Sequence, residues 1–87
     1  MNVPFSQLEV FPNPSRDIFN ISFVSDITQN VSVKVVDMMG KVIYTEDVKE
    51  FSGIYIKQIN LSDYTKGVYF LRISSDQGGI NKKITLQ

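Results

Sequence analysis

Two carboxylates, Asp37 and Asp63, are the residues of this 87-residue chain whose type best suits catalysis. A carboxylate pair can hydrolyse a glycosidic bond when one member is held protonated and the other faces it across a cleft. Both stand instead in turn sequences, Asp37-Met38-Met39-Gly40 and Ser62-Asp63-Tyr64-Thr65-Lys66-Gly67, where aspartate is favoured for bonding nearby backbone. The chain has no histidine and no cysteine. That removes the usual general base, the Ser-His-Asp and Cys-His nucleophile systems and the common zinc ligands. A calcium loop needs several closely spaced carboxylates, and Asp76 stands nearly alone. Gly78-Gly79 lacks the helix and the Lys-Ser/Thr of a phosphate loop. Neither catalysis nor a cofactor, metal or small-molecule substrate is expected.

Binding chemistry has two candidates. Tyr44, Tyr55, Tyr64 and Phe70 could form a platform for stacking sugars, although aromatics alternating along strands more often serve packing. Lys82-Lys83 could be a docking signal, or could simply block pairing at a terminal strand. Nine basic residues balance nine acidic ones. That argues against nucleic acid or an anionic membrane as the main partner, since both reward a basic surface. Asn-x-Ser triplets at Asn20, Asn30 and Asn60 matter only in a eukaryotic secretory pathway and read as chance.

The elements around these residues are all of one kind. Phe19, Ile21 and Phe23 alternate with Asn20 and Ser22, and Val31, Val33 and Val35 alternate with Ser32 and Lys34. Both patterns predict half-buried strands, over 18–24 and 31–36. Polar Ser25–Asn30 between them predicts a loop. Asp37 first and Gly40 fourth predict a type I turn with a glycine bulge, returning through Lys41–Thr45. Glu46–Ser52 reads as a charged loop and Ile54–Ile59 as a strand. Asn60–Gly67 is turn chemistry feeding Val68–Ile73, whose Tyr69, Leu71 and Ile73 should face the core. Asp76–Gly79 turns the chain into Ile80–Leu86, where Ile80, Ile84 and Leu86 share a face. Leu8–Phe11 is a short strand stopped by Pro12-Asn13-Pro14-Ser15, a rigid bend. Residues 1–7 read as a leader or linker remnant, with no basic and apolar pattern of a signal peptide. Six or seven short strands without helical periodicity predict one all-β domain over 8–87, an immunoglobulin-like antiparallel β-sandwich.

Taken together the motifs resemble a family. Pro12-Asn13-Pro14-Ser15 after a short strand is similar to its opening Pro-Asn-Pro. Val33–Val42, with Asp37, Gly40 and Lys41, resembles its strand followed by Asp-x-x-Gly and a basic residue. Leu61–Ile73, with Gly67, Tyr69 and Leu71, resembles its Leu…Gly-x-Tyr-x-Leu-x-Ile block. Lys82-Lys83-Ile84-Thr85-Leu86-Gln87 is similar to its closing end. The family is the type A C-terminal sorting domain of type IX secretion, also called the Por secretion tail. Asp17 stands where members often carry glycine, and aspartate tolerates the left-handed region better than most residues.

The resemblance implies a non-catalytic tail of a larger exported protein from a Bacteroidetes-type bacterium. It implies a cargo protein on the N-terminal side, passage through the periplasm, and an outer-membrane translocon that recognises the tail. A surface sortase-like protease would cut it, and the cargo would end at the cell surface or secreted. Lys82–Gln87 is the expected recognition segment, because a terminal edge strand can pair with a receptor strand. Its deletion is expected to block export while the remainder stays folded. Pro12, Asn13, Pro14, Asp37, Gly40, Lys41, Gly67, Tyr69 and Leu71 are expected to be mainly structural. The alternative is a carbohydrate-binding or adhesive module, and exposed edges would allow a dimer of the isolated domain.

Overall fold

Alternating apolar residues on either side of a polar stretch build one long strand here, not two. The computed structural model describes residues 5–87. Its strands are β1 (Phe5–Phe11), β2 (Ile18–Val36), β3 (Val42–Asn60), β4 (Gly67–Ser75) and β5 (Gly78–Leu86). β2 and β3 are each 19 residues long, and each covers two of the expected short strands. The expected loops at 25–30 and 46–52 are therefore strand, a correction with a physical cause. Where the ladder shifts between Ser25 and Val31, polar side chains replace the missing bonds. Buried Ser25 donates through Oγ to the Ile27 carbonyl (2.7 Å) and accepts from Gln29 Nε2 (2.9 Å). Asn30 Oδ1 accepts from the Glu50 amide at 2.9 Å. The polarity that suggested a loop is what lets the strand bend without losing its hydrogen bonds.

All strand pairings are antiparallel. β3 runs along one edge of β2, while β1 and β4 share the other edge, and β5 flanks β4. β1 pairs with the first limb of β2 around Asn20–Ser25, and β4 with the second limb over Ser32–Val36. The sheet curls at the bends into a sandwich-like arrangement closed over one core. β1 begins at Phe5, which is 4% exposed and packs in the core, so the strand starts three residues before the expected boundary at residue 8. Met1–Pro4, the rest of the expected leader, lie outside the described residues.

The expected faces hold in β2, β4 and β5. Phe19, Phe23, Val33, Val35, Leu71 and Ile73 are fully buried, with Ile84 and Leu86 beside them. In the second limb of β3 the inward residues are Tyr55 and Ile59, leaving Ile54 and Ile56 69% and 76% exposed. Phe23 centres an aromatic group, stacked on Tyr55 at 4.6 Å and edge-on to Phe5 at 5.4 Å.

Glu46 on the first limb of β3 meets Tyr55 and Lys57 on the second. Tyr55 donates to Glu46 Oε1 at 2.5 Å and Lys57 Nζ to Oε2 at 3.2 Å. The Tyr55 hydrogen bond, ahead of the Lys57 contact, holds the Glu46 carboxyl below its ordinary range. Burial, then Glu46, pushes the Tyr55 phenol up, so it stays a donor at neutral pH. A lowered carboxyl pKa favours the fold above the unfolded value of about 4.3 and loses that advantage as pH falls. The Glu46→Gln protein is therefore expected to melt below the parent at neutral pH, with the gap closing below about pH 4. Melting curves across that range check it, and a pH-independent gap would exclude the carboxylate as its source.

Candidate recognition site

Because β2 and β3 both bend back, the β1–β2, β2–β3 and β3–β4 connections gather at one end of the molecule, while the β4–β5 turn at Asp76 and Gln77 lies beside the bends at Thr28–Asn30 and Glu50. The β2–β3 turn forms as its residue types require. The Gly40 amide donates to the Asp37 carbonyl (3.0 Å), and Asp37 Oδ1 accepts from the Met39 and Lys41 amides, both at 2.9 Å. Gly40 sits at φ 84°, a region costly for any residue with a Cβ. Gly40→Val is expected to lower stability by about 1–2 kcal/mol, measured by denaturant unfolding. An unchanged midpoint would contradict the turn geometry.

The β3–β4 corner packs on the same end. Leu61 is buried and its amide donates to the Asp17 carbonyl at 2.7 Å. Tyr64 donates to the Ile43 carbonyl (3.1 Å), Lys66 Nζ to the Arg16 carbonyl (2.8 Å), and Tyr69 to the Thr65 carbonyl. Gly67 then lies opposite Leu86 in the β4–β5 ladder. Tyr69 and Leu71 are core residues.

The Pro12–Ser15 bend holds the end of β5. Asn13 acts as a strand residue would: Nδ2 donates to the Lys83 carbonyl (3.0 Å) and Oδ1 accepts from the Thr85 amide (3.1 Å). The Ser15 amide donates to the Thr85 carbonyl (3.0 Å), and the Ser15 carbonyl accepts from the Gln87 amide (2.7 Å). Pro12, Asn13 and Pro14 are exposed, whereas Ser15 is buried and its Oγ donates to the Ile18 carbonyl at 2.5 Å. Residues 12–15 and 83–87, seventy positions apart in the chain, form one unit. Nothing in the spacing signals this, although an asparagine fixed between two prolines is a residue whose side chain has few other uses.

Within the closing segment, Ile84 and Leu86 are core, Thr85 is half-buried, and Lys82, Lys83 and Gln87 are exposed. The segment is therefore not a detachable signal: both of its apolar residues, Ile84 and Leu86, seal the core. The remaining candidates stay scattered. The carboxylate of Asp37 is occupied by its own turn, and Asp63 is exposed. Among the described residues no group of three or more potential ligands could hold a metal. Tyr55 is buried, Tyr44 and Phe70 are half-buried, and Tyr64 alone of the four is exposed, so they present no common stacking surface.

The family model for the secretion system C-terminal sorting domain matches residues 9–87, which include every motif just placed. The chain belongs to that family. It is thus a type IX sorting domain, a tail that marks an exported protein and not a catalytic unit. The sorting domain is also 33% identical over 69 residues to an endo-acting ulvan lyase of Formosa agariphila. That match covers 79% of this chain and spans 12% of the lyase. A sorting tail implies an N-terminal cargo and a destination at the cell surface or outside the cell.

Proposed function

We propose that this domain is read by the outer-membrane translocon of type IX secretion after its cargo has reached the periplasm. The segment read is Lys82–Gln87, held in place by the Pro12–Ser15 bend. A surface sortase-like protease then removes the domain, leaving the cargo at the surface or released. One observation supports this reading above others: the four family motifs converge on one end of the fold, where they order the closing segment and leave Lys82, Lys83 and Gln87 exposed.

The test fuses residues 5–87 behind a periplasmic fluorescent reporter in a bacterium with a working type IX system. Reporter outside the cell, lost when the translocon is disabled, is expected. Reporter retained in the periplasm with the domain folded would favour a carbohydrate-binding or adhesive module.

The isolated domain can also pair with itself. Among the described residues β3 pairs with β2 alone, so its outer edge has no described partner beside exposed Ile54 and Ile56. Sedimentation should show a dimer that Ile56→Lys returns to monomer; monomeric parent protein at high concentration would exclude it.

A further inference from the structure

The closing strand has an outer edge that is half covered and half open. β5 residues alternate between bonding β4 and pointing outward, and Thr85 points outward to Asn13 and Ser15. By the same alternation in an unbroken register, Lys83, Asn81 and Gly79 point outward too. The Lys83 carbonyl is taken by Asn13. The Lys83 amide, and the amides and carbonyls of Asn81 and Gly79, bond no other described residue. An open edge therefore runs from Gly79 to Lys83 and stops where the Pro12–Ser15 bend begins.

The face beside this edge is basic, although the chain as a whole carries no net charge. Lys34 on β2 lies opposite Arg72 on β4, and Arg72 lies opposite Asn81 on β5. Lys83 follows two residues after Asn81, on the same face, while Lys82 lies on the opposite face in line with Ile80 and Ile84. All five are exposed. Lys34, Arg72, Gly79 and Asn81 line one shallow groove. The ion pair found among the described residues is Lys57 with Glu46, elsewhere in the fold, so these cations have no acidic partner within 4 Å among the described residues. Asp47 shares the face but sits opposite Ser32, one ladder step beyond Thr45, the partner of Lys34.

We infer that the outer edge of β5 over Gly79–Lys83 receives an extended strand of a partner protein that carries acidic side chains. Backbone groups of Gly79, Asn81 and Lys83 supply the strand pairing. Arg72, Lys34 and Lys83 supply charge complementarity on the exposed face, which sets partner choice and register more than raw affinity. Lysines at an edge discourage pairing with a neutral or like-charged strand; toward an acidic strand they attract. The Asn13–Ser15 bend ends the available edge and so fixes how far the partner strand extends. This inference rests on the translocon reading for the partner's identity and, within Lys82–Gln87, leaves strand pairing to Lys83 alone, because Asn13 and Ser15 already bond the outward groups of Thr85 and Gln87.

The experiment has two arms. In the first, the 87-residue chain is titrated with a capped peptide, Thr-Val-Glu-Val-Glu-Val-Thr, and amide hydrogen exchange is followed at low and high salt. Exchange at the Asn81 and Lys83 amides is expected to slow about tenfold at low salt and recover at high salt. The same peptide with lysine for glutamate is expected to do nothing, as is the acidic peptide on an Arg72→Glu, Lys83→Glu protein. Unchanged exchange at both amides, or protection confined to β3, overturns the proposal.

In the second arm the reporter fusion carries Asn81→Pro or the Arg72→Glu, Lys83→Glu pair. The Asn81 amide is outward and unbonded, so proline there removes no ladder bond while blocking strand addition. Export is expected to fall about tenfold or more with both, and to be unchanged by Ile56→Lys on the opposite edge. Melting temperature confirms folding, and the charge pair decides the matter if the proline variant unfolds. Parental export by the charge-reversed, folded fusion overturns the strand as the translocon's contact. Peptide protection alongside unaffected export would leave the edge standing and reject the translocon as its partner. A parent fusion that never leaves the periplasm rejects the sorting reading itself.

Discussion

Deleting residues 82–87 is expected to abolish the cooperative unfolding transition of this domain, and with it export. The expectation from the chain alone is a folded but silent domain, and the core opposes it. Ile84 and Leu86 are each 1% exposed, packed with Tyr69, Leu71 and Ile73. Truncating one buried leucine or isoleucine to alanine costs about 2–5 kcal/mol. Losing two such residues therefore costs about 4–10 kcal/mol against a total stability of about 4–13 kcal/mol for this size. The deletion also strips the ladder from Gly67–Leu71 and the partners of Asn13 and Ser15. Circular dichroism melting checks it. A truncated protein melting within about 5 °C of the parent would show that the core does not need the closing strand. Loss of export by this deletion is thus no measure of recognition. The exposed side chains of Lys82, Lys83 and Gln87 are the positions at which recognition can be separated from folding.

The second large effect is expected at Phe23. Its ring is fully buried and touches three others: Tyr55 stacked at 4.6 Å, Phe5 edge-on at 5.4 Å and Phe51 at 6.1 Å. These rings come from β1, β2 and the second half of β3, so the cavity left by alanine would open between three strands. Phe→Ala in a core costs about 3–5 kcal/mol, and a domain this small loses about 4–8 °C of melting temperature per kcal/mol. Phe23→Ala is therefore expected to lower the melting temperature by about 12–40 °C. Phe51→Ala, at a half-buried edge of the same group, should cost clearly less. Comparable losses for the two would mean that burial does not rank this cluster.

The strand faces were legible because side chains alternate: Phe19, Ile21 and Phe23, then Val31, Val33 and Val35, are buried as the pattern requires. The Asp37–Gly40 turn was legible because its bonds are local, formed by residues within four positions of one another. The second limb of β3 was less so. Ile54 and Ile56 look like a core pair, yet Tyr55 takes the inside because Phe23 stacks on it and Glu46 accepts its hydroxyl.

By itself, then, the sequence determined the all-β class, most inward faces, the turn types and, through four short motifs in order, the family. Tertiary structure decided that β2 and β3 run unbroken through their polar stretches, because Asn30 finds its partner, the Glu50 amide, only when the two strands lie side by side. It also decided that Asn13 and Ser15 clamp residues 83–87, and that Lys34, Arg72 and Lys83 share one face beside an open edge. The division has a single physical reason. Periodicity and turn chemistry are properties of neighbouring residues, whereas strand pairing joins residues such as Ile18 with Asn60 and Ser32 with Ser74, the Asn13 clamp reaches further still to Thr85, and their register exists only in the folded chain.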